Sequence, residues 1–250
     1  MLYIDKIIET MPYGKTKPIK VKASDGEVYV VKFRKDNIAR KDRSITNEFI
    51  AYRLIENLEW EIAPLPLELI QIDTTALELA EDAFIDPLSL AYMKESLGVN
   101  VAIPYIDNCE KAEGEIENQN FIKHLRTIDN VLLNDDRDIE NPNILKDQTA
   151  SNRYYAIDWG LAMDSTDVYK DIKTGNISTR MMYFQTCNVV RRPEYILRGN
   201  LTRVTLKSQE IEGIIHEIIE EIPQEWETYS DRAHLEEILC ARAVSKKIFE

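Results

Sequence analysis

The chain reads as an α+β protein in two lobes, a small sheet-bearing lobe at residues 1–103 and a mainly helical lobe at 104–250. Three observations lead there. An Asp25-Gly26 turn signal stands between residues of strand composition, and a long segment of helical period follows it. The last forty residues carry two apolar helical faces, Ile211 to Ile219 and Leu235 to Val244.

Val28-Tyr29-Val30-Val31-Lys32-Phe33 is β-branched and aromatic, so residues 21–33 are expected to form a hairpin about Asp25-Gly26. From Ser44 to Leu58 the apolar residues Ile45, Phe49, Tyr52, Ile55 and Leu58 recur at steps of three and four, the spacing of one helix face. Pro64 and Pro66 stop that pattern. Residues 67–72 then suit a short strand, and Leu77 to Leu97 reads as a helical insertion. The charged run from Asp107 to Glu115 has too few apolar residues for a core and marks the passage between lobes. Phe121, Leu125, Ile128 and Leu132 restore the helical period, and Tyr154 to Ile157 has strand composition just before Asp158. No internal repeat, low-complexity run or Gly/Ser linker interrupts the chain, so the halves are expected to be lobes of one unit.

A hydrophobic share of 44%, a charged share of 30% and the lack of a long apolar run suit a soluble protein. The first residues lack the order of a secretory signal, and Cys109, Cys187 and Cys240 lack metal-type spacing, so a cytoplasmic location is expected. A net charge of -13 argues against nucleic acid as a partner, because a phosphate backbone is bound through a basic surface. His124, His216 and His234 are dispersed and read as structural, while Trp60, Trp159 and Trp226 read as packing residues, with a place lining a nucleotide site as the alternative for Trp159.

The chemistry concentrates in Asn134-Asp135-Asp136-Arg137-Asp138-Ile139-Glu140-Asn141-Pro142-Asn143 and in Ile157-Asp158-Trp159-Gly160. Phosphoryl transfer needs a base for the attacking hydroxyl, cations against the phosphates, and ligands for those cations. Asp136, in a loop after a helix, suits the base. Asp158 at a strand end suits a Mg²⁺ ligand, with an amide oxygen from Asn141 or Asn143 beside it. Both amides stay open: Asn141 lies five positions after Asp136, and Asn143 directly precedes the apolar pair Ile144-Leu145. Lys32 at the end of an apolar strand suits phosphate charge, and Glu48 on the next helix can orient its ammonium. Gly14-Lys15-Thr16-Lys17 can cover phosphates with backbone N–H groups. Taken singly each feature is ordinary, a solvated Asp-Arg turn or an edge-strand lysine. Their order along the chain is what makes them one site.

These blocks, with Asn47-Glu48-Phe49-Ile50-Ala51-Tyr52-Arg53-Leu54 and Ile222-Pro223-Gln224-Glu225-Trp226, resemble the small HipA-like kinases of the protein-kinase and phosphoinositide-kinase superfamily. The likeness runs over most of the chain and implies a bilobal protein-kinase-like fold with ATP bound between the lobes. It implies that Lys32 binds ATP phosphates, Glu48 pairs with it, Asp136 is the catalytic base, and Asn141 and Asp158 hold Mg²⁺. Arg137, grouped with Asp136 as catalytic, would fix the loop; Gly14 to Lys17 would cover the phosphates; Ile103 to Ile106, with Tyr105, would be the hinge near adenine.

Three departures stand out: Asp138 follows Asp136-Arg137 where His is common, Trp159 replaces Phe or His, and the phosphate loop has a single glycine. None removes the base or a metal ligand. The implied reaction is ATP- and Mg²⁺-dependent phosphorylation of Ser or Thr in a protein. A nucleotide-binding pseudokinase serving as a regulatory module, and a small-molecule or lipid kinase, are the alternatives. An antitoxin or regulatory partner is not readable, and no helix-turn-helix is evident.

Overall fold

The computed structural model describes residues 1–12, 14, 16–34, 43–113, 116–134, 136–137, 142–163, 208–226 and 232–244. They fall into two compact units. The first takes Met1–Tyr52, Pro64–Asp107 and Ile222–Thr228, and the second takes Arg53–Ala63, Asn108–Glu221 and Tyr229–Glu250. Two short segments lie in the other unit from their sequence neighbours, and the main run of the first unit ends at Asp107. Ile62 accepts a hydrogen bond from Ala156 N at 2.6 Å, which places its segment in the second unit. Trp226 donates to Val99 O, which places its segment in the first.

The first unit is built on five strands, β1 (Leu2–Thr10), β2 (Ile19–Ala23), β3 (Val28–Lys32), β4 (Glu68–Ile72) and β5 (Gly98–Pro104). Their order is β1-β2-β3-β5-β4, and a parallel pairing of Leu2 with Ile70 and Tyr3 with Gln71 closes the sheet. Closure removes the open edges that invite wrong pairing. The β2–β3 hairpin has the expected Asp25-Gly26 turn, with Gly26 at φ +90° where a side chain would be strained. Asp25 accepts hydrogen bonds from Glu27 N and the Tyr29 hydroxyl across that turn.

Alternation along β3 buries Tyr29 and Val31 and turns Val30 and Lys32 to the other face. The buried set joins Ile4, Ile7, Ile19, Val21, Phe33, Ile70 and Ile72 in one core. The helical insertion is two helices, α2 (Thr74–Asp82) and α3 (Pro87–Glu95), which add Ala76, Ala80, Tyr92 and Met93 to it. Asp73 and Asp86 cap their N-termini by accepting from Ala76 N and Leu88 N, and Pro87 takes the first-turn position where a missing N–H costs nothing.

Helix α1 (Arg43–Asn57) connects β3 to β4 and is buried all round from Ile45 to Tyr52. That is why Glu48 reaches only 1% exposure although it is charged.

The second unit contains α4 (Gln119–Val131), α5 (Ser208–Glu221), α6 (Arg232–Ala243) and a small sheet. The sheet runs β6 (Cys109–Lys111), β7 (Ile144–Asp147), β8 (Tyr154–Ala156) in spatial order. Strand β6 falls in the charged run expected to be a bare connection. Its side chains are exposed or half-buried, and backbone pairing with β7 is what makes it a strand. Helices α5 and α6 pack together, with Ile211, Ile215, Ile218 and Ile219 of α5 and Leu235, Ile238 and Leu239 of α6 buried. Among the described residues, no helix is long and apolar enough to cross a membrane.

Candidate active site

In the first unit, Lys32 at the last position of β3 forms an ion pair with Glu48 of α1. The lysine side chain keeps 17% of its surface exposed, while the glutamate side chain is buried. Loop 11–18 is closed by Met11 N to Pro18 O at 2.8 Å, and Ser89 of α3 donates to Lys17 O at 2.9 Å. Gly14 sits at φ +102°, where its conformation rather than crowding requires glycine. Thr16 lies in the turn of this loop, and Lys15 is outside the described residues.

Ile103 is buried in β5 opposite Val30. Tyr105 just beyond donates its N–H to Val28 O at 2.9 Å, and Lys20 Nζ stands 3.5 Å from the centre of its ring.

In the second unit the acidic loop leaves α4 at a left-handed residue, Leu133 at φ +53°. Asp129, in the last turn of α4, is fully buried and carries the loop on its carboxylate. Its Oδ1 accepts from Asn134 Nδ2 and Trp159 Nε1, each at 2.9 Å, and its Oδ2 accepts from Arg137 Nε at 2.9 Å. Arg137 is fully buried too. Its Nη1 donates to the carbonyls of Pro142 at 3.2 Å, Asn143 at 2.9 Å and Ile157 at 2.8 Å, and its guanidinium lies 4.7 Å from the centre of a Trp159 ring. One charged fork thus binds the start and end of the acidic loop to the residue before Asp158. Arg137 has no exposed surface, and its bonds hold the loop.

Asp136 is half-buried, with its N–H 3.4 Å from Asn134 Oδ1 and its Oδ2 3.4 Å from Asn143 Nδ2. Asp158 is half-buried at φ +66°, and Asn143 is at φ +50°. Non-glycine residues held in this region store strain that persists only when surroundings over-determine them, a condition common at functional sites. Here the Arg137 bonds to Asn143 and Ile157, and Ile157 N to Asn143 O at 2.9 Å, supply that constraint. Asn141 lies outside the described residues. Among the described residues no cluster of three His, Cys, Asp or Glu forms a metal site. Asp158 with one amide oxygen offers hard oxygen donors in the small number that suits Mg²⁺, which keeps water and phosphate oxygens as its other ligands.

One further support, Arg242, was not assigned from the sequence. Arg242 of α6 is buried and donates from Nε to Val131 O at 3.0 Å and from Nη2 to Asn130 O, holding the end of α4 where the acidic loop begins. Burial pulls its guanidinium down to about 9, so it still carries its charge at neutral pH. The signal was present: Arg242 continues the apolar series Leu235, Ile238, Leu239, and Asp129 likewise follows Leu125 by one turn. A charged residue on a core face must find partners.

These arrangements belong to the kinase class of fold, and the likeness to a solved kinase is measurable. The Helicobacter pylori proinflammatory kinase CtkA matches with a TM-score of 0.54 at 15% identity, over 96% of this chain and 92% of that one. A Golgi casein kinase solved with Mn and ADP bound matches with a TM-score of 0.47 at 12% identity, over 100% of this chain and 74% of that one. No curated protein matches the sequence. The family model for HipA-like kinases matches residues 4–248, and the chain belongs to that family.

Proposed function

We propose that the protein is an ATP- and Mg²⁺-dependent kinase that phosphorylates a Ser or Thr hydroxyl of a protein substrate. The observation that carries this reading is the Arg137 fork, which joins the carbonyls of Pro142 and Asn143 to that of Ile157, the residue preceding Asp158. Such rigid coupling suits a reaction whose catalysis is mostly positioning and charge stabilisation.

In the proposed reaction the substrate hydroxyl oxygen forms a bond to the γ-phosphorus as the bond from that phosphorus to the β,γ-bridging oxygen breaks, and ADP leaves. Asp136 accepts the hydroxyl proton. Lys32, oriented by Glu48, stabilises α- and β-phosphate charge. Asp158, with Asn141 or Asn143, would hold Mg²⁺, whose chemistry is to neutralise charge on the β- and γ-phosphate oxygens.

Radiolabelled ATP and Mg²⁺ with the purified chain and a protein acceptor test this. Asp136→Ala should lower label transfer about 10²- to 10⁴-fold, the range of a lost general base, while nucleotide binding persists. Nucleotide binding by the wild type with no transfer to any protein hydroxyl would identify a pseudokinase instead.

A further inference from the structure

The motif Ile222-Pro223-Gln224-Glu225-Trp226 stands far along the chain from the residues assigned to chemistry, yet it belongs to the first unit and meets the strand that neighbours Lys32. Strand β3 pairs with β5 only as far as Lys32 opposite Val101, which leaves the start of β5 without β3 beside it. Two side chains fill that place. Glu225 Oε1 accepts from Val99 N at 2.5 Å, and Trp226 Nε1 donates to Val99 O at 2.9 Å. A donor and an acceptor of an uncovered strand are thereby satisfied by a carboxylate and an indole in place of backbone.

The contact is built on both sides. Gly98 at φ +114° lacks the Cβ that would run into the Glu225 carboxylate. Arg34, two residues beyond Lys32, donates from Nη1 to Glu225 at 3.0 Å, from Nη2 to Leu97 O at 2.7 Å, and from its N–H to Asn100 Oδ1 at 2.7 Å. Trp226 then presents its ring to Phe49 edge-on, with centroids 5.7 Å apart and planes at 87°. Phe49 is the residue after Glu48, about 100° further round α1.

We infer that Glu225 and Trp226 are positioning residues for the Lys32–Glu48 pair: they brace the β3 exit and the β5 start, and through Phe49 they set the rotation of α1. A helix held at Phe49 and at Glu48, on two sides of its axis, is free neither to roll nor to slide. This inference rests on the kinase reading for its functional consequence, and on geometry alone for its structural one.

Hydrogen exchange and phosphoryl transfer, measured on the full chain, test the two parts. In Glu225→Ala and Trp226→Ala, amides of residues 44–52 and 98–101 should exchange faster, with α5 and α6 protected as in the wild type. Unchanged protection of residues 44–52 in both variants overturns the inference, whether or not the wild type transfers phosphate. For activity, Trp226→Ala should lower kcat about tenfold to a hundredfold, as displacement of a positioned group does. Trp226→Phe keeps the ring on Phe49 and should recover most of that loss. Glu48→Gln combined with Trp226→Ala should be no worse than Glu48→Gln alone, because the tryptophan acts through that glutamate. Losses that multiply in the double variant overturn the positioning role. Should Trp226→Ala fail to fold, Glu225→Ala carries the same comparison, because it deletes the acceptor of Val99 N and Arg34 Nη1. An absence of transfer by the wild type would count against the kinase reading and leave the exchange result to decide the brace.

Discussion

Each unit contributes one ion pair beside residues assigned to chemistry, and the two pairs are built differently. Lys32 and Glu48 join a strand end to a helix, and the lysine keeps 17% of its side-chain surface exposed. Asp129 and Arg137 both have 0% exposure; Asp129 Oδ1 also accepts from an asparagine and an indole, and Arg137 Nη1 donates to three carbonyls. The open pair depends on where α1 is held, whereas the closed pair is itself what holds a loop. One is an adjustable contact and the other is part of the scaffold, so the same kind of substitution should read out as activity in the first unit and as stability in the second.

The largest effect should come from breaking the closed pair. Arg137→Ala leaves the Asp129 carboxylate buried without its cation and takes a donor from three carbonyls, of which Asn143 O keeps its bond from Ile157 N, so a loss of about 3–5 kcal/mol in unfolding free energy is expected. Urea denaturation measures it. A loss below 1 kcal/mol would show that the network is solvated in solution and would remove the contrast between the two pairs. Asp129→Asn should be milder, because the amide oxygen can still accept from Trp159 or Asn134 while the charge partner of Arg137 disappears.

Breaking the open pair should cost less stability and more function. Lys32→Met keeps the length of the stem and deletes the ammonium, leaving Glu48 to relax toward other partners, so a destabilisation of about 1–2 kcal/mol is expected. Phosphoryl transfer should fall by at least about tenfold at saturating acceptor, because charge on the phosphates loses its fixed cation. Equal transfer by Lys32→Met and wild type would sever Lys32 from the reaction.

The contrast also explains what could be read from the chain alone. The hairpin and α1 were legible because a turn dipeptide and a helical period are local signals, and Lys32 and Glu48 lie on those two elements. Strand β1 was harder: register shifts between Ile4 and Lys6 and between Ile7 and Glu9 break its alternation, so its buried isoleucines stand three apart. Strand β6 is made by backbone pairing in a charged run and leaves no apolar trace. Three of the bonds of Arg137 end on carbonyl oxygens, which every residue possesses, so composition could not disclose them. Glu225 and Trp226 reach Val99 across 126 and 127 positions, a distance over which no local pattern carries information.

The smallest expected effect divides the second unit against itself. Asp129 near the end of α4 is locked, but His124 earlier in the same helix is half-exposed and stacks on Trp60 with ring centroids 4.3 Å apart and planes at 6°. Burial, with a lesser contribution from the charge of Lys123, holds this imidazole below its ordinary value of 6.5. The unfolded chain therefore binds a proton at higher pH than the folded one does. The contribution to stability is complete above 6.5 and is lost as the pH falls through that value toward the folded pKa. His124→Phe keeps a flat ring on Trp60 and cannot titrate, so its Tm should fall less than that of the wild type between about pH 7 and pH 5. Because the group is partly solvated, the difference should stay within about 2 °C. Parallel Tm curves for the two proteins over that window would mean that His124 accepts its proton without leaving the stack, and that this end of α4 yields where the Asp129 end does not.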